Sequence, residues 1–386
     1  MKKIKFLAVL LACVTALFCV SSCGGDSADT IKIGLIAPKT GGVAVYGNAV
    51  VAGAELYIEQ LNAAGGINGK KVKLIEYDDK GDATEALNAY NKLVSSDGVC
   101  AILGPVTSSP TFGVAQASAA ENVPCITATA THPDVTTYGS NYFRVCFEDP
   151  FQGGAIARYA ANGLGAKTGA IIYNTADSYS TGLRDSITAE AQSLGMTITN
   201  AEGYAAGDTD FNAQLTNILK SAPDVLFIPN YYNDAYMICS QARALGYGGI
   251  FLGVDGTDGV LEIEGADTSV FNGMYFANHY AADDPSESVQ SFIKDYTAKY
   301  GTAPNSFSAL AYDAAGILCD AIKTVDSSDI TLGATAESYA AVIDALRATD
   351  RDCVTGHITF DEDGNPIKDC KIIGIKDGAY YFVDKY

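Results

Sequence analysis

The stretch GPVTSSPT, residues 104–111, gathers two serines and two threonines without a charge, directly after an apolar run at 99–103. Such a run reads as a buried strand, which puts the hydroxyls at its carboxyl end. Ser109 followed by Pro110 predicts a helix start, with Ser109 as N-cap and Pro110 as the first helical residue. The free N–H groups of that first turn and the positive end of the helix dipole would face whatever lies beside Ser108, and they suit a carboxylate. Capping alone accounts for Ser109 and Pro110, but not for Thr107, Ser108 and Thr111 together. A second hydroxyl cluster, Thr127, Thr129 and Thr131, follows the next apolar run. Adjacent parallel strands would bring Thr129 and Thr131 beside Ser108. The opposite charge preference is met at Asp255, at the end of the apolar run IFLGV, 250–254. Neutral donors on one side and a single anion on the other match a zwitterion. Asp255 in the turn DGTDG is equally a turn former.

Short apolar strands alternating with helices must position these groups. Strands are predicted at 30–38, 71–79, 99–104 and 123–130, with helices at 48–66, 83–98 and 110–122 between them. The helix at 48–66 carries Val50, Ala54, Tyr57, Ile58 and Leu61 on one face and ends at two glycines. The alternation restarts with strands at 169–174, 196–205, 224–230 and 250–254 and helices at 180–194, 210–220 and up to 245. Two such runs predict two α/β lobes with parallel sheets covered by helices on both faces. In doubly wound sheets, ligands bind outside the carboxyl ends of the strands, where the hydroxyl clusters and Asp255 fall. Helices follow at 307–325 and 337–348. The tail at 356–383 alternates as antiparallel strands with turns at 363–365 and 377–378.

The chain has 386 residues, 48% hydrophobic, enough for two cores. Its 45 acidic against 25 basic residues argue against nucleic acid or an anionic membrane surface as partner. Lys2, Lys3 and Lys5 precede an apolar run at 6–20 that is short for a membrane span and reads as a signal peptide. It ends in Val20-Ser21-Ser22-Cys23, which resembles the lipobox of bacterial lipoproteins. That resemblance implies cleavage before Cys23, acylation of Cys23 and a tether over 23–29; an ordinary signal peptide is the alternative. Two or more acyl chains hold a protein on a membrane stably. Of the cysteines beyond Cys23, most lie in apolar runs as small buried hydrophobes. Cys353 and Cys370 flank a hairpin-like segment and are either bridged or free thiols. No spacing suggests zinc. The segment DEDGN, 361–365, lacks the downstream glutamate of a calcium loop and reads as a turn. No histidine stands near a serine or cysteine as a hydrolase triad requires, and no phosphate-binding loop is present, so no enzyme activity and no cofactor are expected.

The stretches at 31–79, GPVTSSPT, VPCITATATHPDVT, DSYSTGL, DVLFIPNYYNDAYMICSQARALG and GVDGTDG resemble, in family order, the branched-chain amino-acid-binding proteins of ABC importers. The resemblance covers about residues 31–383 and implies an α/β fold of two doubly wound parallel-sheet lobes joined by three crossovers, the type I periplasmic-binding-protein fold. Lobe 1 would be 30–149 and 279–353, and lobe 2 150–278 and 354–386. By the same resemblance Ser108, with Ser109, would bind the ligand carboxylate. Thr129 would offer a backbone carbonyl and Thr131 a hydroxyl. Tyr46, Tyr179 and Tyr231 would wall the ligand, although each tyrosine alone is equally a packing residue. Asp255 would hold the ammonium, with a shorter reach than the glutamate usual in the family, and His132 would stand at the rim. The implied protein is extracytoplasmic and lipid-anchored. It captures an amino acid, branched-chain in type, and hands it to importer permease subunits. A ligand-sensing receptor of the same fold is the rival, disfavoured because the sequence ends at Tyr386 without a signalling domain. A binder of another carboxylate or amide is a further alternative.

Overall fold

The computed structural model describes residues 30–325 and 335–386. The expected signal peptide, the expected tether and Cys23 lie outside the described residues. The first half of the chain runs β1 (Thr30–Ala37), α1 (Ala44–Ala63), β2 (Lys71–Asp78), α2 (Ala83–Lys92), β3 (Ala101–Leu103), α3 (Ser108–Glu121), β4 (Cys125–Thr127) and β5 (Tyr142–Arg144). Then come α4 (Asp149–Arg158), β6 (Thr168–Asn174), α5 (Ser178–Ser193), β7 (Thr197–Tyr204), α6 (Asn212–Leu219), β8 (Val225–Ile228), α7 (Tyr232–Ala244), β9 (Ile250–Gly253) and β10 (Met274–Asn278). The last part is α8 (Glu287–Tyr300), α9 (Ser306–Lys323), α10 (Ala336–Arg347), β11 (Asp350–Cys353), β12 (Gly356–Thr359), β13 (Lys371–Lys376) and β14 (Ala379–Lys385).

The strands form two large sheets. One has the order β2-β1-β3-β4-β5 and is parallel throughout. The other has the order β14-β13-β10-β9-β8-β6-β7. Its parallel part, read from β7 to β10, repeats the order of the first sheet, and β13 and β14 add an antiparallel edge. In both sheets the strand order reverses at the first strand of the unit, which is the switch point where α/β sheets open a crevice. The strand interiors are continuous apolar runs, such as Ile102 and Leu103 or 225–228, because helices cover both faces. The helix α9 lies against α1. Gly53 permits that approach, since a Cβ there would stand 2.0 Å from the Ser308 carbonyl oxygen.

Several expectations change. The strands β5 and β10 were absent from the predicted set; three and five residues give little pattern to read. The hydroxyl-rich helix starts at Ser108 with Thr107 as N-cap, not at Ser109. Thr107 holds the extended backbone of a cap. Pro110 then falls in the first turn, where its missing N–H breaks no intrahelical bond. The helix read at 83–98 ends as α-helix at Lys92 and closes in a π turn over Leu93–Asp97. The antiparallel tail does not stand apart, because β13 pairs with β10 and completes the second sheet. Cys353 and Cys370 are both free and buried. His132 packs edge-on against Phe112 at 5.0 Å and accepts from the Asp134 N–H through Nδ1.

Candidate functional site

Five loops leave the carboxyl ends of β3, β4, β6, β8 and β9, and a sixth leads from β1 into α1. They converge on one cavity of about 230 Å³. Tyr46, Ser108, Thr129, Thr131, Tyr179, Tyr231 and Asp255 all line it. Ser109 does not: its Oγ lies 3.1 Å from Ser178 Oγ and 3.5 Å from Asp177 Oδ1, on the start of α5. Ser109 therefore joins the two sheets' loops across the crevice instead of facing the cavity.

One wall is polar and neutral. Ser108 is 2% exposed and its Oγ accepts the His132 N–H at 3.3 Å. Thr129 Oγ1 is already donated to the Val106 carbonyl at 2.7 Å, so this residue has only backbone groups to offer. Thr131 Oγ1 is buried without a partner. The α3 N-terminus supplies unpartnered N–H groups beside these hydroxyls. This wall favours an anion.

The facing wall is built around Asp255, 3% exposed. Its Oδ1 accepts from the Tyr179 hydroxyl at 2.5 Å and from the Gly256 N–H at 2.9 Å. Its Oδ2 stands 3.3 Å from His279 Nε2. Burial pushes His279 down to about 4, so the ring is neutral at pH 7 and donates a proton without bringing a positive charge. His279 is also stacked on Phe147 at 3.6 Å. Behind the wall, Asp149 accepts from Gln152 Nε2 at 2.9 Å, and Gln152 Oε1 accepts the Asp255 N–H at 3.1 Å. Burial, and then the charge of Asp255, push Asp149 up to about 8, so it keeps its proton at pH 7. Its Oδ2 lies beside Thr131 Oγ1, yet neither makes a hydrogen bond of ordinary geometry. The wall thus presents an oriented carboxylate, with neutral donors around it, to a cation.

Aromatic rings close the remaining sides. Tyr46 stacks on Phe307 at 4.1 Å and 6°, and Tyr179 stacks on Tyr231 at 4.9 Å and 10°. The Tyr46 hydroxyl accepts from the Tyr232 N–H at 2.8 Å and donates to the Gly256 carbonyl, so it links the loop after β1 to those after β8 and β9. Gly47 makes room for that placement: a Cβ there would overlap the Pro38 carbonyl at 2.0 Å. Phe307, Asp149, Gln152 and His279 were missed from the sequence. Asp149 and His279 adjoin the expected crossovers at 148–149 and 277–278, which was the available signal. Phe307 is the second residue of a helix that reads as ordinary core.

The chain matches the family model described as periplasmic binding protein over residues 30–379. It is 32% identical over 340 residues, 88% of each chain, to a leucine-, isoleucine-, valine-, threonine- and alanine-binding protein of Pseudomonas aeruginosa. Among solved structures it is similar to a leucine-binding protein from Thermotoga maritima, with a TM-score of 0.84, 32% identity and coverage of 92% of this chain and 98% of that one. It is similar to the same degree, TM-score 0.84 and 32% identity, to a branched-chain amino-acid transporter substrate-binding protein from Streptococcus pneumoniae in complex with isoleucine. That match covers 92% of this chain and 99% of the other.

Proposed function

The chain belongs to the periplasmic binding protein family, and on that premise we propose that it captures a small aliphatic α-amino acid between two lobes and delivers it to an ABC importer. One observation carries this reading: a single small cavity sets neutral donors and a helix N-terminus opposite the Asp255 carboxyl group, between stacked aromatic rings. An α-carboxylate fits the first wall, with Ser108 and Thr131 donating. An α-ammonium fits Asp255. The apolar rings of Tyr46, Tyr231 and Phe307 leave room for a short aliphatic side chain, so the branched-chain type fits best. The lobes of this reading are 30–149 with 279–353, and 150–278 with 354–386. Binding to both lobes at once favours the closed form, because only that form completes both sets of contacts. Acylation of Cys23 would hold the protein at the outer face of the membrane, beside the permease subunits that receive the ligand.

Calorimetric titration with leucine, isoleucine, valine, alanine and threonine tests the reading. Saturable one-to-one binding of at least one of them is expected. Binding of carboxylates without an amine, such as benzoate, with none of the amino acids bound, would overturn it. For the anchor, mass spectrometry of the mature N-terminus should find an acylated Cys23, and Cys23→Ser should release the protein from the membrane; an unmodified N-terminus elsewhere refutes it.

A further inference from the structure

A second cavity, of about 310 Å³, lies on the other side of the turn at 255–258 and shares no lining residue with the first. It is bounded by that turn, by the segment at 278–283 that follows β10, by the residues before α9 and by the β13–β14 edge. Asp258 forms its floor and is 2% exposed. Both hydrogen bonds to this carboxylate go to Oδ2, from Asn278 Nδ2 at 3.0 Å and from the Ser306 N–H at 2.9 Å. Its Oδ1 makes none, and among the described residues no lysine, arginine or histidine pairs with Asp258 or with Asp283, the second carboxylate lining the cavity. Lys371, on the strand that carries Ile373 of the lining, is engaged by Asp284 at 3.3 Å. Tyr280 lines the cavity, is 4% exposed, and its buried hydroxyl has no hydrogen-bond partner. Burial raises its pKa first, and Asp258, Asp283 and Asp284 raise it further. Tyr380 and Tyr381 supply two more aromatic walls.

A buried carboxylate without a counter-ion is costly. One with a free oxygen, beside an unpaired hydroxyl and three aromatic rings, is completed by a small organic cation, which gains an ion pair and ring faces together. We propose that this cavity binds a small primary alkylammonium, with Asp258 as its counter-ion, Tyr280 as a hydrogen-bond partner and Asp283 at the rim. A second amino acid is disfavoured as occupant, because its carboxylate would meet Asp283 with no donor cation in the lining. The cavity holds the 255–258 turn against the start of α9, and Asn305 lines it while Phe307 lines the first cavity. An occupant there would steady both elements that shape the first site. This proposal does not depend on what the first cavity binds.

The probe is n-propylammonium, titrated into the full protein by calorimetry or ligand-observed NMR, with propanol, propionate and alanine as comparisons. Saturable binding of propylammonium and none of propanol or propionate is expected. Tyr280→Phe should weaken it about tenfold or more, the worth of one hydrogen bond to a charged group, and Asp258→Asn by at least as much. Asp258 also anchors the Ser306 N–H, so Asp283→Asn serves as a second charge variant; Asp283 accepts the exposed Phe382 N–H at 2.9 Å, which an asparagine oxygen can still accept, and a loss of about threefold is expected for a rim charge. Binding that vanishes in Asp255→Asn but survives Tyr280→Phe and Asp283→Asn places the amine in the first cavity and overturns the proposal. So does the absence of saturable binding at millimolar amine.

Discussion

Asp255 and Ser108 sit on opposite walls of the first cavity, and their substitutions separate the two halves of zwitterion recognition. Ser108→Ala removes a donor to a charged group, so amino-acid affinity should fall by about 1.5–3 kcal/mol while unliganded stability changes little. Asp255→Asn leaves an ammonium unpaired in a dry cavity, a loss of about 2–5 kcal/mol, or roughly 30-fold and more in affinity. Calorimetry on both variants decides; unaltered affinity in either removes that residue from the ligand's contacts. Asp149 makes a pH prediction. Its folded pKa, about 8, lies above the ordinary value of 3.8, so its contribution is fully present below about 4 and is lost as pH rises toward about 8. His279 runs the other way: held at about 4 against 6.5, it costs stability as pH falls through that window. Asp149→Asn cannot titrate, so urea unfolding should show the variant gaining on the parent as pH rises from about 4 to about 8. A constant difference across that range would mean Asp149 is charged in the fold. The hydroxyls and Asp255 were legible because each follows a strand end, whereas the tyrosines came only from the family resemblance. The sequence did not show Asp149, Gln152 and His279, which reach the site only through burial behind it.

The elements were readable where periodicity is long and unreadable where the strand is short. The strands β1, β2 and β6 stand near their expected bounds because apolar spacing over seven or more residues leaves one solution, whereas α1 was found as a helix but starts at Ala44, four residues before its expected start, and ends at Ala63, three before its expected end. The strand β5 has three residues, buried throughout, and carries no alternation to read. The start of α3 misled by one residue, since Ser109-Pro110 is a good cap pair and the alternative depends on where Ser109 finds a partner across the crevice. Packing between elements is a further limit: nothing in the sequence says that α1 and α9 touch at Gly53. Gly53→Ala tests that contact. The added methyl meets the Ser308 carbonyl, so the helices must part, and overpacking of this kind costs about 1–3 kcal/mol. Chemical denaturation should show that loss; a neutral or stabilised variant would mean the two helices separate at no cost.

At the scale of the whole molecule, two sheets with the same strand order face each other across a crevice, and polar bonds span it at several points, among them Ser306 N–H to Asp258 and Asn305 Nδ2 to Glu262. Tyr46 makes two of them, from the Tyr232 N–H and to the Gly256 carbonyl. Asn233 Nδ2 reaches the Gly42 carbonyl at 2.7 Å, and Ser109 meets Ser178. The parallel α/β character of both units was legible from their alternating runs, and the antiparallel edge was legible as strands but not as a completion of the second sheet. How the units close depends in part on these contacts. Tyr46→Phe removes both hydroxyl bonds and keeps the ring that stacks on Phe307. Those bonds exist only when the crevice is shut, and each is worth about 0.5–1.5 kcal/mol. The variant should therefore bind its amino acid about 5- to 100-fold more weakly, with the stability of the open, unliganded protein nearly unchanged. Small-angle scattering should show the parent compacting as ligand saturates it. The variant should reach the same compact form, but only at higher ligand concentration, because the closed geometry is intact and only its population has fallen. Equal affinity in parent and variant would disconnect the Tyr46 hydroxyl from closure. Scattering that does not change with ligand in the parent would mean that the two units do not move, and that capture rests on the cavity walls alone.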